Sequence, residues 1–274
     1  MSTNTTTESR IAGTFARCKA ENRTALMPFV TAGYPTMEIT EHIIHAIVEA
    51  GADLIEIGTP FSDPLADGTT VQRTSQVSLD NGTKLKDCIA LVKRVREAGI
   101  EVPLMLMGYF NPVVKYGIDH YVADCADAGV DGFIIPDLPI EESGRVRDAA
   151  RAKGIDLIYM TAPTTTEERL RQVGEMGSGF VYCVSVTGVT GARESLSASL
   201  GDYMARVRSH TDLPLAVGFG ISTPEHVREV GKVADGAIVA SAMINYTDKF
   251  PLEEQPAEAA RFVRYLKGEA SLKP

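Results

Sequence analysis

Eight short apolar runs, separated by segments with helical periodicity, constrain this chain more than any other feature of its sequence. The runs are ALMPFVTAG near 25–33, DLIEIG at 53–58, PLMLMGY at 103–109 and GFIIPDLP at 132–139, then DLIYMTAP at 156–163, GFVYCVSV at 179–186, PLAVGFG at 214–220 and GAIVASAMI at 236–244. Their hydrophobicity is continuous rather than alternating, as in parallel strands covered on both sides. Between them, MEITEHIIHAIVEAG places Ile39, Ile43, Ile44, Ile47 and Val48 on one helical face, and Gly51 supplies the stop. KLKDCIALVKRVREAG, GIDHYVADCADAG, EESGRVRDAARAKG and TEERLRQVGEMG repeat the plan, each ending in a glycine expected to take the left-handed C′ conformation.

Strand–helix alternation of this kind means parallel strands joined by right-handed crossovers. Eight units in roughly 250 residues predict an α/β fold of the (β/α)8 TIM-barrel type. A doubly wound open sheet usually carries a glycine-rich phosphate turn after its first strand, and FVTAGYP has no such G-x-G-x-x-G. Without a low-complexity linker or charge block, residues 1–274 read as one barrel domain with a short flexible N-terminal tail, about residues 1–8. EEQPAEAARFVRYLKGEA reads as the last outer helix.

A formal net charge of −9 argues against a nucleic-acid partner, because such binding draws on Lys and Arg. An anionic substrate would then have to be held largely by backbone N–H groups and helix N-termini. Cys18, Cys88, Cys125 and Cys183 lie far apart, which suits neither a zinc site nor a disulfide framework and points to a reducing compartment, the cytoplasm. MSTNTTTESR lacks the apolar segment of a secretory signal. No run of about 18 apolar residues occurs, so no membrane span is expected.

In a barrel, catalytic groups sit at the C-terminal strand ends and in the loops that follow. Glu56 occupies that place on the second strand. Ile55 and Ile57 share one side and Leu54 and Glu56 the other, so with the isoleucines on the helix layer Glu56 faces the mouth. A structural glutamate paired with a buried base is the competing reading, but no basic residue stands in the neighbouring strand ends. A poorly solvated carboxyl there should hold its proton near neutral pH. Asp67 follows in the same loop, its path stiffened by Pro60 and Pro64, while Asp63 before Pro64 reads as loop-shaping.

GFGISTPEHV at 218–227 brings Gly218 and Gly220 to the end of strand seven and starts a helix at once. Either Ser222 and Glu225 form a capping box, or Thr223 caps with Pro224 at the first helical position. ASA at 240–242 follows strand eight, and the loops after strands seven and eight form the common phosphate site of this fold. VTGVTGARESL at 186–196 is either a mobile lid or an ordinary connection. Tyr182, on a strand face with Phe180 and Val184, is either a core residue or a hydrogen-bonding group in the mouth. His42, His45, His120, His210 and His226 lie on or beside helices without metal-ligand spacing and are assigned to outer surfaces, and no metal is expected. Lysines such as Lys93 and Lys115 avoid the strand ends, which argues against a Schiff-base aldolase.

IEIGTPFSDPLADG at 55–68, with FVTAGYP, PDLP, SVTGVTGARE and GFGIS in order along residues 8 to 270, resembles the tryptophan synthase alpha chain family. Where that family often has Gly-Ser after strand eight, this chain has Ala240-Ser241. The resemblance implies retro-aldol cleavage of indole-3-glycerol phosphate to indole and glyceraldehyde 3-phosphate. It implies Glu56 as the acid/base residue, Asp67 as the carboxylate on the indole N–H, and Tyr182 as the tyrosine near Glu56. It further implies Thr190 as the lid threonine, Gly191, Gly220 and Ser241 at the phosphate, and Phe29, Met107, Ile134 and Phe219 around the indole. The implied partner is a beta subunit carrying pyridoxal phosphate in an α2β2 heterotetramer, with no cofactor in this chain. A free-standing lyase and a non-catalytic regulatory barrel are the alternatives.

Overall fold

The computed structural model describes residues 9–185, 193–218 and 220–273. Each apolar run contains a strand: β1 Ala25–Thr31, β2 Ile55–Gly58, β3 Leu104–Met107, β4 Gly132–Ile134, β5 Asp156–Thr161, β6 Val181–Val184, β7 Leu215–Gly218 and β8 Gly236–Val239. They pair in parallel in chain order and β8 closes on β1, which makes the expected (β/α)8 barrel. The helices are α1 Arg10–Ala20, α2 Met37–Glu49, α3 Thr69–Asp80, α4 Leu85–Glu97, α5 Phe110–Tyr116 and α6 Ile118–Ala128, then α7 Gly144–Ala152, α8 Glu167–Met176, α9 Arg193–Arg208, α10 Pro224–Gly231, α11 Ser241–Thr247 and α12 Gln255–Leu266. The expected tail lies outside the described residues.

Alternation along each strand sorts the core into two shells. Ala25, Met27, Leu54, Met105, Ile134, Ile158, Phe180 and Ala216 pack inside the barrel, whereas Leu26, Val30, Ile55, Ile57, Leu104 and Leu106 pack against the helices. Ile55 and Ile57 thus face outward as expected, and Glu56 is left to the interior.

Several local expectations change. Gly51, Gly99, Gly129 and Gly154 take positive φ after their helices, but Gly177 is extended (φ −72°, ψ 160°). A Cβ at Gly177 would lie 2.6 Å from the Val173 carbonyl oxygen, so the glycine there permits a close approach instead of a left-handed turn. Thr223, not Ser222, caps α10, accepting the His226 N–H at 3.3 Å with Pro224 at the helix start. The connection after β6 is shorter than residues 186–196, because Arg193 already begins α9.

Helix α1, absent from the sequence reading, closes the bottom of the barrel. Ile11, Phe15 and Cys18, at helical spacing, are almost fully buried with the interior strand residues, and the Phe15 and Phe180 rings stand 5.7 Å apart. Burying such side chains contributes roughly 2 kcal/mol each.

The same bottom edge carries a bond pattern with four repeats. Shortly before each even-numbered strand, one residue exchanges two hydrogen bonds with the preceding odd strand. Leu26 N–H donates to Asp53 Oδ2 while the Asp53 N–H donates to the Leu26 carbonyl, both at 2.9 Å. Leu104 pairs likewise with Asp131 (2.8 and 2.9 Å), Leu215 with Asp235 (2.8 Å for both), and Leu157 with Ser178 through its hydroxyl (3.0 and 3.3 Å). Each aspartate also takes an arginine: Arg23 on Asp53, Arg96 on Asp131 and Arg208 on Asp235.

Among these, Asp131 and Arg96 are the most enclosed pair, and Arg96 also donates to the carbonyls of Gly129, Ile100 and Val102. Asp131→Ala strands a backbone N–H and a guanidinium, and should cost about 3 kcal/mol of stability. The urea midpoint should fall accordingly, whereas Asp119→Ala, which breaks only the exposed pair with Arg145, should leave it nearly unchanged.

Candidate active site

At the C-terminal mouth, Glu56 emerges from β2 opposite Phe29 of β1 and Met105 of β3. It is 1 % exposed, and neither carboxyl oxygen has a hydrogen-bond partner. Burial, reinforced by the charge of Asp67, pushes its pKa up to about 8. At neutral pH this buried carboxyl holds its proton, and no base among the described residues is paired with it.

Asp67 reaches the same mouth by a different route. The loop turns through hydrogen bonds from Leu65 N–H to the Asp63 carbonyl (2.9 Å) and from Asp67 N–H to the Pro64 carbonyl (3.1 Å). Gly68 then caps α3, and the Gln72 amide donates to the Asp67 carbonyl at 2.9 Å. Partial burial raises the Asp67 pKa to about 6, opposed by a hydrogen bond from the Tyr109 hydroxyl. The two carboxyls therefore differ in their ionisation, with Asp67 the first to lose its proton. Asp63 is exposed and bonded to the neighbouring Ser62 hydroxyl, in keeping with a loop-shaping place.

Tyr182 lies on β6 between Met160 of β5 and Ala216 of β7. Burial, with the negative charges of Glu56 and Asp67, holds its phenol well above the ordinary range, so it stays a neutral hydroxyl. Two glycines make room for the rings at the mouth. A Cβ on Gly58 would fall 2.4 Å from the Phe29 ring, and one on Gly218 would fall 2.6 Å from the Tyr182 ring. Met107 and Ile134 are register partners and both pack into the barrel interior, with Met107 also touching the Phe29, Val71 and Ile244 cluster. These side chains form apolar walls suited to a flat ring.

Tyr109 escaped the sequence reading. It stands two residues beyond β3, its hydroxyl accepts the Ala66 N–H at 2.9 Å, and its ring stacks on Phe61 at 5.1 Å. Both bonds support the loop that carries Asp67. An aromatic placed just past a strand end, in LMLMGYF, was the available signal.

On the opposite rim, β7 and β8 end side by side, with Gly218 paired to Ile238. Gly220 takes a left-handed backbone (φ +76°), and Ser241 is the first residue of α11 after Ala240. Helix-start N–H groups lack intrahelical acceptors and favour anions. His226 is not purely an outer-surface residue, since its Nδ1 accepts the Ser222 N–H at 3.3 Å beneath this rim. Thr190, Gly191 and Phe219 lie outside the described residues. Among the described residues no cluster of three or more His, Cys, Asp or Glu is placed to hold a metal, and no helix is long and apolar enough to cross a membrane.

The sequence profile of the family described as tryptophan synthase alpha chain matches residues 15–271. The tryptophan synthase alpha chain of Roseiflexus castenholzii is 53% identical over 260 residues, covering 95% of this chain and 100% of the relative. That of Chloroflexus aurantiacus is 51% identical over 258 residues, covering 94% and 97%. Among solved structures, the tryptophan synthase subunit alpha of Legionella pneumophila superposes with a TM-score of 0.85 at 34% identity, covering 95% of this chain and 99% of that one.

The burial of Glu56 has a thermodynamic signature. An unfolded glutamate releases its proton near pH 4.5, whereas folded Glu56 keeps its own to about 8. Between those values the folded chain holds one proton more, so its stability falls as pH rises through this window. Glu56→Gln, neutral throughout, should be more stable than the native chain at pH 8.5, with the difference vanishing below pH 4.5. Chemical denaturation at a series of pH values measures this directly.

Proposed function

This chain belongs to the tryptophan synthase alpha chain family, and we propose that it cleaves indole-3-glycerol phosphate by a retro-aldol step run on Glu56 and Asp67. It is a lyase of that family. The observation that carries the residue assignment is the buried, unpartnered, proton-holding carboxyl of Glu56 beside a second carboxyl that ionises more readily.

In this reading the protonated Glu56 gives its proton to indole C3, and positive charge develops on the ring nitrogen. Asp67, ionised, accepts the indole N–H and stabilises that charge where it is greatest, in the transition state. The Glu56 carboxylate then takes the proton of the glycerol hydroxyl next to C3. The carbon–carbon bond breaks, its electron pair returns to the ring, and indole and glyceraldehyde 3-phosphate are released with Glu56 protonated again. Tyr182 brings a neutral hydroxyl close enough to Glu56 to feel its charge. Phe29, Met107, Ile134 and Phe219 enclose the indole. Gly191, Gly220 and Ser241 hold the phosphate, remote from the reacting bond, so that its binding energy orients the substrate. The family resemblance assigns Thr190 the contact with the catalytic Asp67.

As an alpha chain the protein works with a beta subunit, a reading favoured over a free-standing lyase or a non-catalytic barrel by relatives named as alpha chains. The assembly we propose is an α2β2 heterotetramer in the cytoplasm, with pyridoxal phosphate in the beta subunit that consumes the indole. Leu65, 94 % exposed on the Asp67 loop, supports a partner contact there. The four buried free thiols suit a reducing compartment.

Glu56→Gln should lower indole formation about 10³-fold while binding of glycerol phosphate persists. Near-native turnover would overturn the acid/base assignment. The pH profile of kcat/KM should be bell-shaped, with an acid limb near 6 for Asp67 and an alkaline limb near 8 for Glu56. Indole release by the purified chain should rise strongly on adding a beta subunit, and equal activity alone would favour the free-standing lyase.

A further inference from the structure

A second polar cluster stands at the mouth, outside every step described above. Arg73 of α3 donates to the Tyr34 hydroxyl at 2.7 Å, in the loop after β1, and to the carboxylate of Asp248, the residue that ends α11. The Tyr34 hydroxyl in turn donates to Asp248 Oδ1 at 2.8 Å, and the guanidinium carbon lies 5.4 Å from the Tyr34 ring centroid. One ring of bonds therefore closes the loops after β1, β2 and β8 upon each other. A lone half-exposed ion pair is worth little, but here each member has two partners and the arginine also stacks on a ring.

The helix that carries Arg73 starts directly after the loop that carries Asp67. Its N-cap, Gly68, follows Asp67 directly, and Gln72, next to Arg73, donates to the Asp67 carbonyl. Along its length α3 is docked by a buried bond between Thr74 and Thr31 (2.7 Å), by Ser78 donating to the Ala32 carbonyl (2.6 Å) and by Thr70 donating to Asn245 of α11 (3.3 Å). Those bonds should keep α3 folded and docked when Arg73 is removed, leaving the fine placement of its N-terminal end to the clamp. The other end of α11 begins at Ser241, on the anion rim.

We propose that Arg73 is a positioning residue that locks α3 to α11 through Asp248 and Tyr34, and so sets Asp67 in register with the phosphate end of the site. This rests on the reading of Asp67 given above. A shift of the order of 1 Å in a reacting group can cost about 10²-fold in rate without loss of binding.

The test measures indole formation from indole-3-glycerol phosphate by the full chain with its beta subunit. Arg73→Met should lower kcat about tenfold or more, in keeping with that sensitivity, with KM and the affinity for glycerol 3-phosphate changed by less than about twofold. Tyr34→Phe should give a smaller loss of the same kind, and Arg73→Lys should restore part of it. In an Asp67→Asn background, Arg73→Met should cost nothing further, because the group it positions is gone. Native kcat in Arg73→Met, or a loss carried mainly by KM, would overturn the proposal. If Asp67→Asn is nearly inactive yet Arg73→Met lowers its remaining rate by the same factor as in the native chain, the clamp alone is refuted. If Asp67→Asn turns over normally, the reading of the site fails and the proposal with it.

Discussion

Closing eight parallel strands on themselves leaves each side chain only two directions, into the barrel or onto the helix layer. A one-residue change of register would exchange the two sets. With Ile55 and Ile57 on the helix side, Glu56 turns inward, and its carboxyl is buried near the mouth with no hydrogen-bond partner among the described residues. Its raised pKa follows first from strand geometry, through burial, and the charge of Asp67 adds to it. Asp67 beside it, less buried and hydrogen-bonded by Tyr109, completes the contrast between an acid that stays protonated and one that ionises more readily.

The two ends of the barrel handle polar groups differently. At the bottom, Asp53, Asp131 and Asp235 each satisfy a strand N–H and an arginine, with Ser178 taking the fourth place, so these three aspartates are paired. At the top, Glu56 is left unpaired, and the rims are held by longer-range contacts such as Tyr109 to Ala66 and Arg73 to Asp248. Paired charges at one end contrast with a costly unpaired carboxyl at the other. The bottom repeat also shows in the chain, as GAD before β2, GVD before β4 and VAD before β8, though only the bonds reveal its purpose.

Much of the site was legible because it is local. Glu56 and Asp67 lie eleven positions apart in one strand and its loop, and the helix start after β7 is written in consecutive residues. Tyr109 was missed because its role lies in the Asp67 loop, which it meets only after folding. Helix α1 was missed because its apolar face is narrow, interrupted by Thr14, and makes sense only as a lid on the barrel floor. Gly177 has the same sequence context as the other helix-ending glycines, yet the nearness of Val173 decides its conformation.

By itself, then, the sequence determined the eight strand–helix units, the outward isoleucines and inward glutamate of β2, and the pairing of Glu56 with Asp67, since all of these depend on period and short spacing. Only the tertiary structure decided which residues from different units meet. Arg73, Tyr34 and Asp248 belong to three separate strand–helix units, and Tyr109 and Ala66 to two. No periodicity records such contacts, because they are set by barrel closure, which brings the ends of distant strands to a common rim.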